Sequence, residues 1–311
     1  MEGRDDRLQP FRLGRQRLRG QHVRLGETAN TVLRQTDYPP EVATLLGELM
    51  ALTVVLGGSL KYDGVFSVQA RGNGPVPTLL ADLTSDGALR GYASFDRDAL
   101  GEAGEAARRE PVPRLLGAGH LAFTVDQGPD TERYQGIVPL EGATLSACAH
   151  AYFRQSEQIA TAIKLAAAPV AGAWRAGALM LQRVPGEGGV ADEGEAAGGI
   201  GWADDDPEED WRRAVILMSS VADDELLDPV LGSPRLLYRL FHEEGVRLTR
   251  PRELRFACRC SRERVAAVLR AMPRSEVETF KIEDGRVVVT CQFCHRAESF
   301  DDAELDALYA A

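Results

Sequence analysis

Two tight cysteine pairs stand near the C-terminal end of this chain, Cys258-Arg259-Cys260 and Cys291-Gln292-Phe293-Cys294, with thirty residues between them. Two close pairs on a chain that folds back can each supply one edge of a tetrahedron of thiolates around Zn²⁺. Cys258, Cys260, Cys291 and Cys294 are therefore read as the ligands of a four-thiolate zinc site. The first pair is tighter than most zinc knuckles, and a pair that close can also oxidise to a small strained ring when the metal leaves. Two readings stand side by side. One is a permanent brace. The other is a redox-sensitive release site in which oxidant joins Cys258 with Cys260 and Cys291 with Cys294 while zinc is expelled, with Arg259, Arg262 and Arg264 lowering the pKa of the freed thiols.

Other chemistries fit less well. Cys291 to His295 spells the haem attachment pattern Cys-x-x-Cys-His, but that reading leaves the upstream pair without a purpose. A thioredoxin-like Cys-x-x-Cys should open a helix after a strand, which this one does not. The fifth cysteine, Cys148, lies in the apolar stretch Leu145–Ala149 and reads as core. His120 and His150 are isolated, and no paired carboxylates, nucleophile elbow or phosphate loop is present, so the sequence presents no enzyme site.

The elements that must position the cysteines are legible nearby. Ser261 can cap a helix with the apolar face Val265, Val268, Leu269 and Met272, stopped by Pro273. Ser275 and Glu278 make a capping-box pattern for a second short helix, and Glu283-Asp284-Gly285 turns into a strand, Arg286 to Thr290, that delivers Cys291 and Cys294. So small a module has few large apolar side chains, so metal binding can decide whether it folds.

Upstream, residues 27–58 read as helix, turn at Tyr38-Pro39-Pro40, and a second helix, the pair covering one face of a sheet. Strands are expected over 65–70, 88–95, 120–125 and 133–138, a helix over 143–154 and a last strand over 178–184. Short connections in sequence order indicate an α+β domain with an antiparallel or mixed sheet. Residues 187–210 carry ten acids and no basic residue and read as a glycine-rich linker. Residues 211–220, 223–231 and 234–242 then form a helical connecting region. The expected organisation is a flexible arginine-rich tail (1–20), an N-terminal α+β domain (21–186), the acidic linker (187–210), the helical region (211–252) and the zinc domain (253–311).

With 44% hydrophobic residues the chain can build a sizeable core, and a net charge of −11 argues against a surface made for phosphates. A zinc-ribbon nucleic-acid binder is the alternative, weakened because Arg255 to Glu298 holds nine basic residues against six acids. The longest apolar stretch, Leu45 to Leu56, contains Glu48 and is too short to cross a bilayer. Clustered cysteines of this kind suit a reducing, cytoplasmic compartment.

Several further segments share one pattern. Cys258-Arg259-Cys260-Ser261-Arg262-Glu263-Arg264 followed by Cys291-x-x-Cys294 resembles the redox-switch domain of the 33 kDa heat-shock chaperones. Leu60-Lys61-Tyr62-Asp63-Gly64, Glu132-Arg133-Tyr134-Gln135-Gly136, Tyr152 to Gln158 and Arg239 to Glu244 resemble that family's other segments, from about residue 20 to the end. The resemblance implies Zn²⁺ on the four cysteines and a protein that is inactive when reduced. On oxidation it would form the two disulfides, release zinc, loosen the connecting region, dimerise and hold unfolding client proteins without ATP. The acidic run and the tail before residue 20 are departures from the pattern.

Overall fold

A computed structural model of the chain describes residues 5–14, 18–101, 106–128, 131–183 and 207–310. They divide into two compact units, Met1–Phe256 and Ala257–Ala311.

The larger unit opens with an antiparallel hairpin of β1 (Arg7–Leu13) and β2 (Leu18–Leu25). This overturns the expected flexible tail over 1–20. The arginines that suggested a tail are interleaved with Leu8, Phe11, Leu13 and Leu18, all buried, so an alternating strand underlies the charge. Phe11 pairs across from Gly20, and its ring lies over that glycine in space that any larger residue would fill. Asp6 reaches across to the start of the next helix, accepting from the backbone amides of Gly26, Glu27 and Thr28 at 3.0–3.2 Å. These are donors that a helix cannot satisfy internally.

Helix α1 (Glu27–Gln35) leads through Tyr38-Pro39 into α2 (Pro40–Gly58). Fourteen of the nineteen residues of α2 are buried, on every side, so it cannot be a one-faced surface helix. It packs against β strands of two different sheets, which corrects the expectation that the helix pair covers one sheet face. Its length and apolar composition would suit a membrane span, and burial between two sheets accounts for both.

The next strands, β3 (Val65–Gly72), β4 (Thr78–Thr84) and β5 (Ala88–Ser94), form a meander. Single-turn helices α3 (Arg97–Leu100) and α4 (Ala106–Arg109) precede β6 (Gly119–Asp126) and β7 (Tyr134–Pro139). Helix α5 (Leu145–Tyr152) continues into a π-helical turn, then β8 (Thr161–Val170) and β9 (Ala173–Arg183) complete the strands of the core. Residues 184–206, which hold most of the acidic run expected as a linker, lie outside the described residues. Three helices follow, α6 (Pro207–Ser219), α7 (Asp223–Leu227) and α8 (Ser233–Phe241). Two-residue strands β10 (Arg247–Leu248), β11 (Arg252–Glu253) and β12 (Arg255–Phe256) close the unit.

The first sheet runs β10-β1-β2-β9-β8, with β11 also on β1. The second runs β12-β5-β4-β3-β6-β7 and is antiparallel except where β12 joins β5 in parallel. The main core fills the space around α2 between the sheets. A second apolar cluster lies on the other face of the first sheet, where Phe11, Leu13, Leu179 and Leu181 meet Met218, Leu226, Leu237 and Phe241 of α6–α8.

The smaller unit contains α9 (Arg262–Arg270), α10 (Arg274–Glu278), the hairpin β13 (Val287–Thr290) and β14 (Ala297–Phe300), and α11 (Asp302–Ala310). The fold is thus α+β, as its strand and helix order implied.

Candidate metal centre

The four cysteines of the tight pairs come together. Cys258 and Cys260 lie between β12 and α9, while Cys291 and Cys294 form the turn of the β13–β14 hairpin. Their four sulfur atoms lie within 4.8 Å of one another, and among the described residues they are the one such group of potential metal ligands. Sγ of Cys258 is 3.6 Å from that of Cys291, and Sγ of Cys260 is 3.3 Å from that of Cys294. A tetrahedron with metal–sulfur bonds of about 2.3 Å has edges of roughly 3.8 Å, so this cluster is close to the required size. None of the five cysteines is joined in a disulfide in this structure.

Local chemistry holds the turns in place. The Ser261 hydroxyl accepts from the Arg264 amide and starts α9 immediately after Cys260. Across the hairpin tip the Cys291 amide donates to the Arg296 carbonyl at 2.9 Å, and the His295 amide returns to the Cys291 carbonyl at 2.9 Å. His295 adopts φ 56°, the left-handed conformation that lets the chain reverse so tightly. Arg262 ties α9 to the hairpin and to α11 by donating to the Ser299 carbonyl at 3.0 Å and to Glu304 at 2.6 Å, and its guanidinium lies 4.2 Å above the Phe300 ring. Arg274 is likewise paired with Glu278, Asp302 and Asp306. These arginines are committed within the unit.

Electrostatics agree with a cation-binding set. Burial works against ionising Cys258, but hydrogen bonds from the Cys260 amide and the neighbouring thiols overcome it and hold Cys258 down to about 7. Burial and the surrounding thiols push Cys260 up, and burial pushes Cys294 up. One proton is thus easily lost, while further negative charge in the same small space is resisted until a cation compensates it. The donor set suits a soft tetrahedral ion.

The supporting core is small: Leu269, Val277, Val287, Phe300 and Leu305 are its buried apolar side chains. Val268, expected on the apolar face of α9, is instead 61% exposed, because the core-facing stripe runs through Val265 and Leu269. Helix α10 begins after Pro273, whose carbonyl accepts from Glu276 and Val277, so Ser275 sits inside the first turn rather than capping it. Cys148 is buried in the main core, where burial raises its pKa to about 11 and makes the thiol inert.

One residue that sequence reasoning did not single out is Arg24. On β2, and almost wholly buried, it donates from Nε to the Leu226 carbonyl at 2.9 Å and from Nη1 to the Leu231 carbonyl at 2.7 Å. Beside it His22 is fully buried, with Nδ1 2.9 Å from the Ser233 hydroxyl. Both therefore pin the α7–α8 segment to the first sheet.

Comparison with known proteins follows the same outline. The profile of the Hsp33 protein family matches residues 6–301. Its reach to residue 6 corrects the expectation that the segment before residue 20 departs from the pattern, in keeping with the β1–β2 hairpin there. The chain is similar to the 33 kDa chaperonin of Caulobacter vibrioides, 39% identical over 96% of this chain and 95% of the relative. It is 37% identical to that of Pseudomonas fluorescens, over 94% of this chain and 89% of the relative. The crystal structure of the 33 kDa chaperonin from Thermotoga maritima superimposes with a TM-score of 0.75 over 99% of this chain and 98% of that one, at 20% identity.

Proposed function

This chain belongs to the Hsp33 family, and from that membership we propose that it is a redox-regulated, ATP-independent holdase, inactive while reduced and zinc-bound. The observation that carries the reading is the four-sulfur cluster on a unit with so slight an apolar core. Cys258 and Cys260 before α9 and Cys291 and Cys294 in the hairpin turn would hold Zn²⁺, whose charge would offset part of theirs and tie the two ends together, and in small zinc peptides such binding is worth about 10–16 kcal/mol. Oxidation joins Cys258 to Cys260 and Cys291 to Cys294. Each pair of thiolates gives up two electrons as its S–S bond forms, peroxide takes these with two protons from solvent and leaves as two waters, and the sulfurs lose the negative charge that held the cation. A core of only five buried apolar side chains, with the ties of Arg262 and Arg274, then has to hold the unit.

The effect passes along the chain. Cys258 lies two residues beyond Phe256, the end of β12, so a melting unit frays first at β12, β11 and β10, the segment that anchors the far end of α8. Loss of α6–α8 from the first sheet uncovers Phe11, Leu13, Leu179 and Leu181. Unfolding proteins in the cytoplasm are the clients of that surface, and the oxidised chain pairs as a homodimer.

The test treats reduced, zinc-loaded protein with peroxide at raised temperature while zinc release, free thiols and light scattering of a thermally unfolding client are followed together. The expected result is loss of zinc in step with four thiols, then suppression of aggregation. Reduced protein that suppresses aggregation as well as oxidised protein refutes the switch.

A further inference from the structure

The face of the first sheet beneath α6–α8 is not uniformly apolar. Lys164 on β8 lies 3.1 Å from Asp223, at the start of α7, and Arg183 on β9 lies 2.8 Å from Glu208 in α6. On β2, beside β9, Arg24 takes the carbonyls of Leu226 and Leu231, at and beyond the C-terminal end of α7. That end of a helix carries unpaired carbonyls and partial negative charge. The segment held there begins Asp223-Asp224-Glu225 and ends Leu226-Leu227, with both leucines buried against the sheet. A surface both basic and apolar thus grips a short stretch that is acidic at its start and apolar at its end.

We propose that this surface, once uncovered, selects client segments with the chemistry of α7: short amphipathic stretches in which acidic residues precede a pair of large apolar ones. The assignment rests on the release of α6–α8 proposed above, and it makes α7 an internal occupant of the client site. Lys164 and Arg24 meet the acids and the carbonyls, while the apolar pair enters the space that Leu226 and Leu227 leave. Segments without acids strand those cations against apolar surface, and basic segments add repulsion from Arg183. The resident segment also fits incompletely. His22 Nε2 is buried without a hydrogen-bond partner, so a client offering one more polar atom there can outcompete it.

The probe is a fluorescent peptide with the sequence of residues 222–231, beside a neutral copy in which every Asp becomes Asn and every Glu becomes Gln. Both are titrated into two forms of the full chain. One is the peroxide-oxidised protein, and the other is a reduced Leu237→Asp, Phe241→Asp variant, whose two carboxylates in the buried cluster expel α8 without oxidation. The acidic peptide is expected to bind roughly tenfold tighter than the neutral one to both forms, with the preference shrinking as salt rises. Lys164→Met and, separately, Arg24→Met are expected to reduce that ratio, Lys164→Met being the partly exposed site where the fold is least disturbed. Binding that ignores peptide charge, or no binding to either form, overturns the assignment. A charge preference in the expelled-helix variant, with no binding by oxidised protein, upholds this surface and refutes redox release instead.

Discussion

Phe241→Ala separates the docking of α6–α8 from the rest of the fold. Phe241 is fully buried, and its ring stacks on Phe11 of β1 at a centroid distance of 5.8 Å and an interplanar angle of 23°. Its buried neighbours belong to the second apolar cluster, which contains no side chain of α2. Truncating a buried phenylalanine costs about 3–5 kcal/mol, including the cavity left behind. If that cost falls on α8 docking alone, the equilibrium for opening shifts by about a hundredfold to several thousandfold, since each 1.4 kcal/mol is a factor of ten. Hydrogen exchange on the reduced, zinc-loaded variant reads this directly. Amides over 210–241 should lose protection while those of α2 and β3–β6 keep theirs, and the variant should slow client aggregation without any oxidant. Equal loss of protection in α2 would mean that the two clusters unfold as one, and the argument for a separable layer would fail.

Three other outcomes follow from the structure. Asp6→Gly keeps the positive φ of 55° at that position without strain while deleting the carboxylate that caps α1, so calorimetry should register a loss of about 0.5–2 kcal/mol. An unchanged melting temperature would return residue 6 to a dispensable tail. His22 is held down to about 3, first by burial and then by the charge of Arg24. Its folded pKa is below the unfolded value, so its contribution is full above about pH 6.5 and erodes as pH falls toward 3, by on the order of 2 kcal/mol at pH 5. His22→Gln should flatten the fall in melting temperature between pH 6.5 and 5, and a slope identical to the parent's would assign the acid sensitivity elsewhere. Finally, chelation at neutral pH without oxidant should open 257–310 to protease before 18–183, and uniform resistance across the chain would show that the smaller unit folds without metal.

The clustering of the four cysteines was legible because cysteine chemistry is local: the spacing of the two pairs suggests the geometry, and Ser261, Pro273 and the Glu283-Asp284-Gly285 turn state the framework. Helices α1, α2 and α6–α8 were also readable, since proline, turns and 3.6-residue periodicity bound them. The first sheet was not. In β8 the run Ala166-Ala167-Ala168 has low strand propensity, and its small residues make sense only where α2 packs on one face and α6–α7 on the other. In β2 the alternation is masked because Gln21, His22 and Arg24 are all buried, each bonded to a partner distant in sequence. The seven arginines spread over the first 24 residues suggest a solvated segment until the carbonyls of Leu226 and Leu231 are seen in front of Arg24.

The segment that carries α6–α8 stays tied through the chain to β9, an inner strand of the first sheet, even where β10 to β12 fray. Displaced helices therefore cannot diffuse away. They stay as a tethered rival at an effective concentration of about millimolar, renewing their claim on the surface continuously. Under the proposed release, a client would have to win against this standing competition, so the chain itself would set an upper limit on how weakly a captured protein can be held, and with the thiols restored the rival would need no outside energy to reclaim its berth.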